Sequence, residues 1–399
     1  MAELLATIES YLQLPYVLPT LYIVIIIAVF PLIAGYIVLL ERKVMADIQA
    51  RLGPMRVGPH GLLQPLADAV KLLLKEDIIP AKADWLLFWL APVISVVAAL
   101  VAFSVVPFSD WFFITDTNIG LLFILSISSV GILGIILGGW SSNSSYPLLG
   151  ALRSTAQMVS YEVALGFAII GGLMVAGTLS MQEIVRAQQE QHVWFIFYQP
   201  LAFCIYAVAA MAETNRSPFD MPEAESEIVA GYHTEYSGFR FSLYFLAEYT
   251  NIVIVSSIAV TLFLGGWLRP FPNVEWLGFL DYSPIVAIFA LAAMSFLGAV
   301  REKRWMEQVG MGGLGAVFAL LGLSLALPEF ISALPSLLDY TQGLFWFLLK
   351  VFLIVYGFIW IRFTFPRYRY DQLMKLGWHW LIPLAIANII VTGIVMVLL

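Results

Sequence analysis

Long, continuously apolar stretches separated by polar connections dominate the chain. Ten of them approach or exceed the roughly 20 residues that a helix needs to cross the hydrocarbon core of a membrane. They cover residues 19–40, 85–106, 119–140, 159–177, 193–212, 241–267, 283–300, 311–327, 344–361 and 380–399. Because these stretches are apolar throughout rather than in alternation, they predict transmembrane helices and not a β-barrel. We therefore predict an all-α, polytopic membrane protein that forms a single domain over residues 1–399.

The lysines and arginines are distributed unevenly between the connections. If the N-terminus lies outside and the spans alternate, every basic residue except Arg186, Arg269 and Lys350 falls on the inside. Basic residues are enriched in cytoplasmic loops, so this bias predicts the orientation. The inside connection over residues 41–84 is also amphipathic, with apolar side chains at helical spacing in residues 61–75. It predicts a helix along the membrane surface.

The composition narrows the classes of protein further. Hydrophobic residues make up 61% and charged residues 12% of the 399, and the mean hydropathy is +0.90. Soluble domains have about 45–50% apolar and about 25% charged residues, so a soluble enzyme and a disordered protein are excluded. The net charge of −7 argues against a nucleic-acid partner. With Cys204 as the single cysteine, the chain has too few thiolates for an iron–sulfur cluster, and no histidine spacing predicts a metal site.

Several carboxylates lie where lipid would normally exclude them. Glu162 and Glu248 sit in or beside apolar stretches, and Glu213 closes another. A charge at the centre of a transmembrane helix costs about 2.5–3.5 kcal/mol on insertion scales, so these residues predict a function such as proton transfer. The residues that we assign to a proton relay are Glu162, Glu213, Glu223, Glu225, Glu227 and Glu248. Alternatively, residues 220–223 are an ordinary helix start, and the next two glutamates are solvated on its surface.

Three polar connections carry extended motifs. The first contains residues 41–43 (ERK), 51–54 (RLGP) and 57–65 (VGPHGLLQP), the second residues 212–220 (AETNRSPFD), and the third residues 366–373 (PRYRYDQL). In this order and at these topological positions, they resemble the quinone-site membrane subunit of proton-pumping NADH:quinone oxidoreductase. That protein is known as the H subunit, or chain 1, of respiratory complex I.

The resemblance implies a translocase subunit that forms much of a quinone channel and couples quinone reduction to proton pumping. It implies a quinone substrate, either ubiquinone or menaquinone, with the iron–sulfur clusters and flavin in partner subunits. The implied partners are the other membrane-arm and peripheral-arm subunits, including the iron–sulfur subunit that donates electrons. The implied location is the bacterial inner membrane, in contact with lipid.

The resemblance also favours a set of polar residues for the quinone channel. They are Glu41, Arg42, Arg51, Asp68, Lys71, Arg216, Asp220, Arg367, Arg369 and Asp371. A quinone site needs an apolar passage and a few hydrogen-bond donors at its closed end. Taken without the resemblance, Arg42, Arg362 and Arg367 are better explained as interfacial anchors of transmembrane helices, and Tyr368 and Tyr370 are explained as interfacial aromatic residues.

One region departs from the family pattern. About 60 residues separate the Gly265–Trp267 region from the next family-type helix. They predict an inserted hairpin over residues 283–327, which adds two helices to about eight and preserves the direction of everything downstream. Lys350 lies inside a span, where we expect it either to pair with a membrane glutamate or to extend to the surface.

Two other functions remain open from the sequence. One is the equivalent membrane subunit of a related energy-converting hydrogenase. The other is a secondary ion transporter acting alone, which would explain the buried acids but not the long inside connections. Such transporters often contain inverted repeats, and no convincing repeat of this kind is found in the sequence.

Overall fold

The computed structural model describes residues 17–221, 230–271, 274–301, 305–330 and 338–398, and this part of the chain is mostly helical without strands. The helices are α1 (Val17–Ile48), α2 (Gln64–Leu74), α3 (Trp85–Ala102), α4 (Gly120–Ser141), α5 (Ser145–Ala176), α6 (Met181–Glu190), α7 (Phe195–Tyr198), α8 (Pro200–Glu213), α9 (Gly238–Phe263), α10 (Ser283–Arg301), α11 (Trp305–Phe330), α12 (Leu338–Thr364), α13 (Tyr370–Lys375) and α14 (Ile382–Leu398). Within these ranges, nine helical segments are long and apolar enough to cross a membrane. The predicted all-α membrane fold is confirmed.

The fifth apolar stretch, predicted as one span over residues 193–212, is not continuous. It is divided at Gln199 into α7 and the 14-residue α8. Pro200 explains the break, because proline disfavours the helical conformation of the residue before it and lacks an N–H group. Gln199 instead uses its side chain between helices, donating to Thr392 Oγ1 at 2.7 Å and accepting from Asn388 Nδ2 at 2.7 Å.

One further boundary differs from the sequence prediction, and one predicted helix is present. α5 begins at Ser145, 14 residues before the predicted span at 159, so that Gln157 and other polar residues belong to a 32-residue helix. In the connection after α1, the amphipathic helix is present as α2, and none of its residues is buried in the chain. Its position along a membrane surface stays a prediction.

The connections meet at two ends of the helical bundle. At one end, Asp84 N donates to Ser141 O at 3.0 Å and Tyr368 N donates to Pro218 O at 3.1 Å. These connections carry most of the basic residues, and we call this the basic end. At the other, which we call the opposite end, Ser180 Oγ donates to Asp116 Oδ1 at 2.9 Å.

Helices α10 and α11 form the hairpin that the sequence predicts over residues 283–327. Gly310 in the first turns of α11 packs closely on Pro59, so that a Cβ atom at position 310 would lie 2.4 Å from Pro59 Cγ. Pro59 belongs to the connection after α1, which places the start of α11 at the basic end. The hairpin therefore runs to the basic end along α10 and back toward the opposite end along α11, as the predicted alternation of spans requires.

Candidate functional site

A group of buried charges joins regions that are distant in sequence. The Arg216 guanidinium lies between two carboxylates, 3.3 Å from Glu248 Oε2 and 4.0 Å from Glu41 Oε1. Glu41 also pairs with Arg362. The side chains of Glu41, Arg216 and Glu248 are only 9%, 7% and 12% exposed, and burying an unpaired ion costs several kcal/mol. Within the part of the chain that the structure describes, two acids and two arginines meet here, and we call these four residues the ion cluster.

Tyrosine side chains surround the ion cluster. The Tyr232 hydroxyl donates to Glu248 Oε1 at 3.0 Å, and the Tyr249 hydroxyl donates to Glu41 Oε2. The Arg216 guanidinium also lies over the Tyr249 ring, with its Cζ atom 4.3 Å from the ring centroid. The two hydroxyl groups thus supply hydrogen-bond donors to both buried carboxylates, and the tyrosine ring covers one face of the guanidinium.

Four segments position the ion cluster. Glu41 lies in the last two turns of α1, Glu248 in the first half of α9 and Arg362 in the last turn of α12. Arg216 follows α8, where Asn215 has a φ of 51° and turns the chain. Asparagine tolerates this left-handed conformation better than most residues. The cluster is thus formed where α8 ends among three long apolar helices.

His233 is a buried histidine beside Glu248. It is 4% exposed, its Nε2 lies 3.5 Å from Glu248 Oε1, and the rings of Tyr232 and Tyr244 pack against it. Burial lowers the pKa of His233 from 6.5 to about 3. The nearby Glu248 does not reverse this shift. His233 is therefore neutral at pH 7.

We expect His233 to make the protein less stable in acid. The unfolded histidine takes up a proton near pH 6.5, whereas the folded one stays neutral down to about pH 3. The free energy of unfolding therefore falls as the pH drops below 6.5, by about 1.4 kcal/mol per pH unit at most. In His233→Gln, the fall in unfolding temperature between pH 7.5 and pH 5.5 should be smaller than in the parent.

The exposed His192 provides a matched control, and His192→Gln should respond to acid as the parent does. Equal acid responses of the parent and His233→Gln would contradict a neutral, buried His233.

Small cavities with shared lining residues lie between the ion cluster and a third carboxylate. A cavity of about 10 Å³ is lined by Glu41, Thr214 and Arg216. The next, of about 30 Å³, is lined by Thr214, Glu248 and Glu213. A further one of about 20 Å³ lies on the other side of Glu213. A water molecule needs roughly 10–15 Å³, so each cavity has room for about one or two.

Glu162 continues this row of acids. It lies near the middle of α5, and the Ser129 hydroxyl donates to its Oε1, with the Ser128 hydroxyl 3.5 Å away. Ser128 also lines both cavities beside Glu213. The predicted relay residues Glu248, Glu213 and Glu162 are therefore brought together.

Three of the predicted channel residues form a separate group at the basic end. Arg42 Nη1 lies 2.7 Å from Asp68 Oδ2, and Lys71 Nζ lies 3.8 Å from Asp68 Oδ1. Gln64 Nε2 donates to Asp68 Oδ1 at 3.1 Å. This group joins the end of α1 to α2. Its member Arg42 directly follows the ion cluster residue Glu41 in the sequence.

The remaining predicted residues are not part of either group. Arg51, Arg367, Arg369 and Asp371 are exposed at the basic end, where Arg369 Nε lies 3.8 Å from Asp371 Oδ1. Asp220 is half-buried. The assigned relay residues Glu223, Glu225 and Glu227 lie outside the described residues, as does the rest of the predicted helix start at 222–223.

Comparison with known proteins identifies the family. The family described as NADH dehydrogenase matches residues 21–393. The NADH-quinone oxidoreductase H 2 subunit of Solibacter usitatus is 56% identical over 392 residues, covering 97% of this chain and 98% of the relative. The H 1 subunit of Koribacter versatilis is 51% identical, covering 94% and 91%, and the H subunit of Thermomicrobium roseum is 42% identical, covering 90% and 91%. The chain belongs to the NADH dehydrogenase family.

In this member of the NADH dehydrogenase family, sequence reasoning misses part of the site. It explains Arg362 as an interfacial anchor, but this residue pairs with Glu41. It assigns Glu41 and Arg216 to the channel and Glu248 to the relay, yet the three share one cluster. His233 and Tyr232 give no signal, because nothing in their local sequence shows that they face Glu248. The nine long apolar helices within the described ranges make this family member an integral membrane protein.

Proposed function

We propose that this chain is the quinone-site membrane subunit, the H subunit, of a proton-translocating NADH:quinone oxidoreductase. In this role it forms much of the quinone channel and couples quinone reduction to proton pumping. Quinone, either ubiquinone or menaquinone, is the substrate, and the iron–sulfur clusters and flavin belong to partner subunits. The N-terminus lies outside and the basic end faces the cytoplasm of a bacterial cell. Family membership and the relatives' names support this proposal.

The observation that carries the coupling is the sharing of Arg216 between two acids. Glu41 is a channel residue in our assignment and Glu248 is a relay residue, and the same guanidinium lies within 4.0 Å of both. Buried charges at such distances interact strongly, so a change in the charge of one acid changes the proton affinity of the other. The quinone site and the proton relay are then linked by one cation.

The arrangement suggests how the link acts. Quinone reduction consumes two protons, and their removal from the channel leaves negative charge on the side of Glu41. Arg216 then interacts more strongly with Glu41 and less with Glu248, whose proton affinity rises. Glu248 takes a proton from Glu213 through the cavity that both line, and Glu213 is refilled from the side of Glu162.

The exposed residues at the basic end support docking of partner subunits there. Arg51, Arg367, Arg369 and Asp371 present charges of both signs. A docked peripheral subunit that carries an iron–sulfur cluster would cover these charges and complete the quinone channel beside Arg42 and Asp68.

The test is proton pumping by the complete complex in membrane vesicles. Glu213→Gln and Glu248→Gln keep the size of the side chain but remove the exchangeable charge. We expect each to reduce the NADH-driven pH gradient at least about tenfold, since a positioned acid–base group typically contributes about 10²–10⁴-fold to the rate of proton transfer. Glu190→Gln, an exposed position at the opposite end, is the matched control and should pump like the parent.

Parent-like pH gradients in both Glu213→Gln and Glu248→Gln would overturn the relay. A mass-spectrometric inventory of the purified complex separates the alternative functions. Co-purifying NADH-oxidising and iron–sulfur subunits support the proposal, nickel–iron subunits would identify a hydrogenase, and a functional lone chain would identify a transporter.

A further inference from the structure

Lys350 is a buried cation whose partners are backbone carbonyls. It lies in α12, is 6% exposed, and forms no ion pair with the carboxylates that the structure describes. Its Nζ donates to Leu264 O at 2.7 Å, Gly266 O at 3.0 Å and Leu268 O at 2.6 Å. A lysine ammonium has three donors, and all three are used. Both sequence expectations, pairing with a glutamate and extension to the surface, are therefore wrong.

The three carbonyls belong to the turn that ends α9. The last carbonyls of a helix have no partner within it and carry the negative end of its dipole. The chain reverses here through Gly265 and Gly266, which have φ values of 73° and 52°. This reversal leaves the carbonyls of residues 264, 266 and 268 pointing to one place, which Lys350 occupies. Lys350 thus neutralises and closes the end of α9.

The ring of Trp194 covers the same turn. It lies 4.6 Å from Lys350 Nζ, and a Cβ atom at Gly265 would lie 2.7 Å from its Nε1. A cation–π contact in a desolvated setting adds to the stabilisation of the ammonium. The turn is packed from both sides and leaves no room for a larger residue at position 265.

The closed turn separates two spaces. On one side, the cavity next to Glu213 reaches Ile258 in α9. On the other, a cleft of about 800 Å³ at the opposite end is lined by Trp267, Leu268 and other residues. The two spaces are separated by the turn and by about 8 Å of the helix α9. Val260, Leu262 and Phe263 in this part of α9 are fully buried.

We propose that Lys350 is a positioning residue that seals this subunit against protons at its opposite end. It holds the turn after α9 closed through its three carbonyl hydrogen bonds, and the ammonium held there repels hydronium ions that approach from the 800 Å³ cleft, as cationic groups do in other proton-excluding pores. The inference rests on the proposed proton relay, since the sealed route ends at Glu213. Protons of the relay are thereby kept from returning through this chain to the opposite side.

The experiment measures passive proton leak in the complete complex reconstituted in liposomes, without NADH. We compare Lys350→Met, which loses the charge and the donors, Lys350→Gln, which loses the charge and keeps two donors, and Lys350→Arg, which keeps both. The imposed pH gradient should decay about tenfold faster with Lys350→Met and Lys350→Gln than with the parent, the order of effect that one charge gives within a nanometre. Lys350→Arg and the exposed control Lys375→Met should stay tight.

A second change tests the route. Glu213→Gln added to Lys350→Met should return the leak to the parent level, because the route then has no acid to pass through. Electron transfer from NADH to quinone in Lys350→Met should stay within about twofold of the parent when an uncoupler is present.

The outcomes separate this inference from the proposed function. A leak equal to that of the parent in Lys350→Met and Lys350→Gln would overturn the seal, as would a leak that persists after Glu213→Gln is added. A complex that assembles only with lysine or arginine at position 350 would also overturn it, making Lys350 a requirement for folding. Normal pumping by Glu213→Gln and Glu248→Gln alone would overturn the relay instead.

Discussion

Arg216→Gln should reduce NADH:quinone reductase activity to less than about a tenth of the parent level. The substitution removes the cation that Glu41 and Glu248 share and leaves Arg362 as the remaining arginine of the ion cluster. Removing one partner of a buried ion pair costs about 3–5 kcal/mol. The measurement is the steady-state rate per assembled complex in membranes, with assembly followed on native gels.

A double variant separates charge balance from catalysis. In Arg216→Gln/Glu248→Gln the cluster again contains one acid and one arginine, so we expect assembly to recover toward the parent level while activity stays low. Arg56→Gln, at an exposed position in the connection after α1, is the control and should match the parent. Parent-like activity of Arg216→Gln would remove Arg216 from the site.

The fold follows from the sequence because membrane burial is a local property of each segment. A continuous apolar stretch forms a helix whatever its neighbours are, since lipid cannot hydrogen-bond the backbone. The exceptions have local causes that outweigh hydropathy. Pro200 divides the fifth stretch, and polar residues such as Gln157 extend α5 because they bond to other segments, here to Ala212 O and Phe219 O.

The candidate site is only partly predictable, because its contacts are tertiary. Acids in apolar stretches point to Glu248 and Glu213 on the cost of burial alone. The pairing of Arg362 with Glu41 joins residues 321 positions apart, and no local pattern indicates it. The contacts of Lys350 are also tertiary and could not be predicted from the local sequence. Its position in a span is evident, but its carbonyl partners come from a turn 82–86 residues earlier in the chain.

Small residues in apolar helices also do not show from the sequence alone where two helices pack closely. Gly131 and Gly134 in α4 lie three residues apart, and small residues in membrane helices are typical of close helix packing. The structure distinguishes them, since only one of the two lies where another backbone approaches. A Cβ atom at Gly134 would lie 2.2 Å from Ser95 Oγ and 2.7 Å from Ala91 O in α3. At Gly131 the nearest atom is Ala98 Cβ, at an ordinary 3.7 Å.

Gly134→Ala is therefore expected to prevent normal assembly of the complex. The added methyl group meets the backbone carbonyl of Ala91, which can move only if the whole of α3 shifts. Forcing extra carbon into a packed interface costs about 1–3 kcal/mol. A displacement of α4 at this point would also disturb α9, since the Tyr244 hydroxyl in α9 donates to Gly134 O in α4 at 3.2 Å. The measurement is the amount of assembled complex and its unfolding temperature in detergent.

Gly131→Ala places the same methyl group one helical turn away and is the matched comparison. Its Cβ atom has room, and alanine is favoured over glycine in a helix by about 1 kcal/mol, so this variant should assemble like the parent or slightly better. Equal losses in the two variants would mean that α4 rejects any methyl group on this face. Equal tolerance would mean that α3 and α4 are not in contact at Gly134. Only a loss of assembly in Gly134→Ala together with normal assembly of Gly131→Ala agrees with a close crossing of α3 and α4 at Gly134. This crossing determines how near Ser95 and Ser128 lie to the cavity beside Glu213.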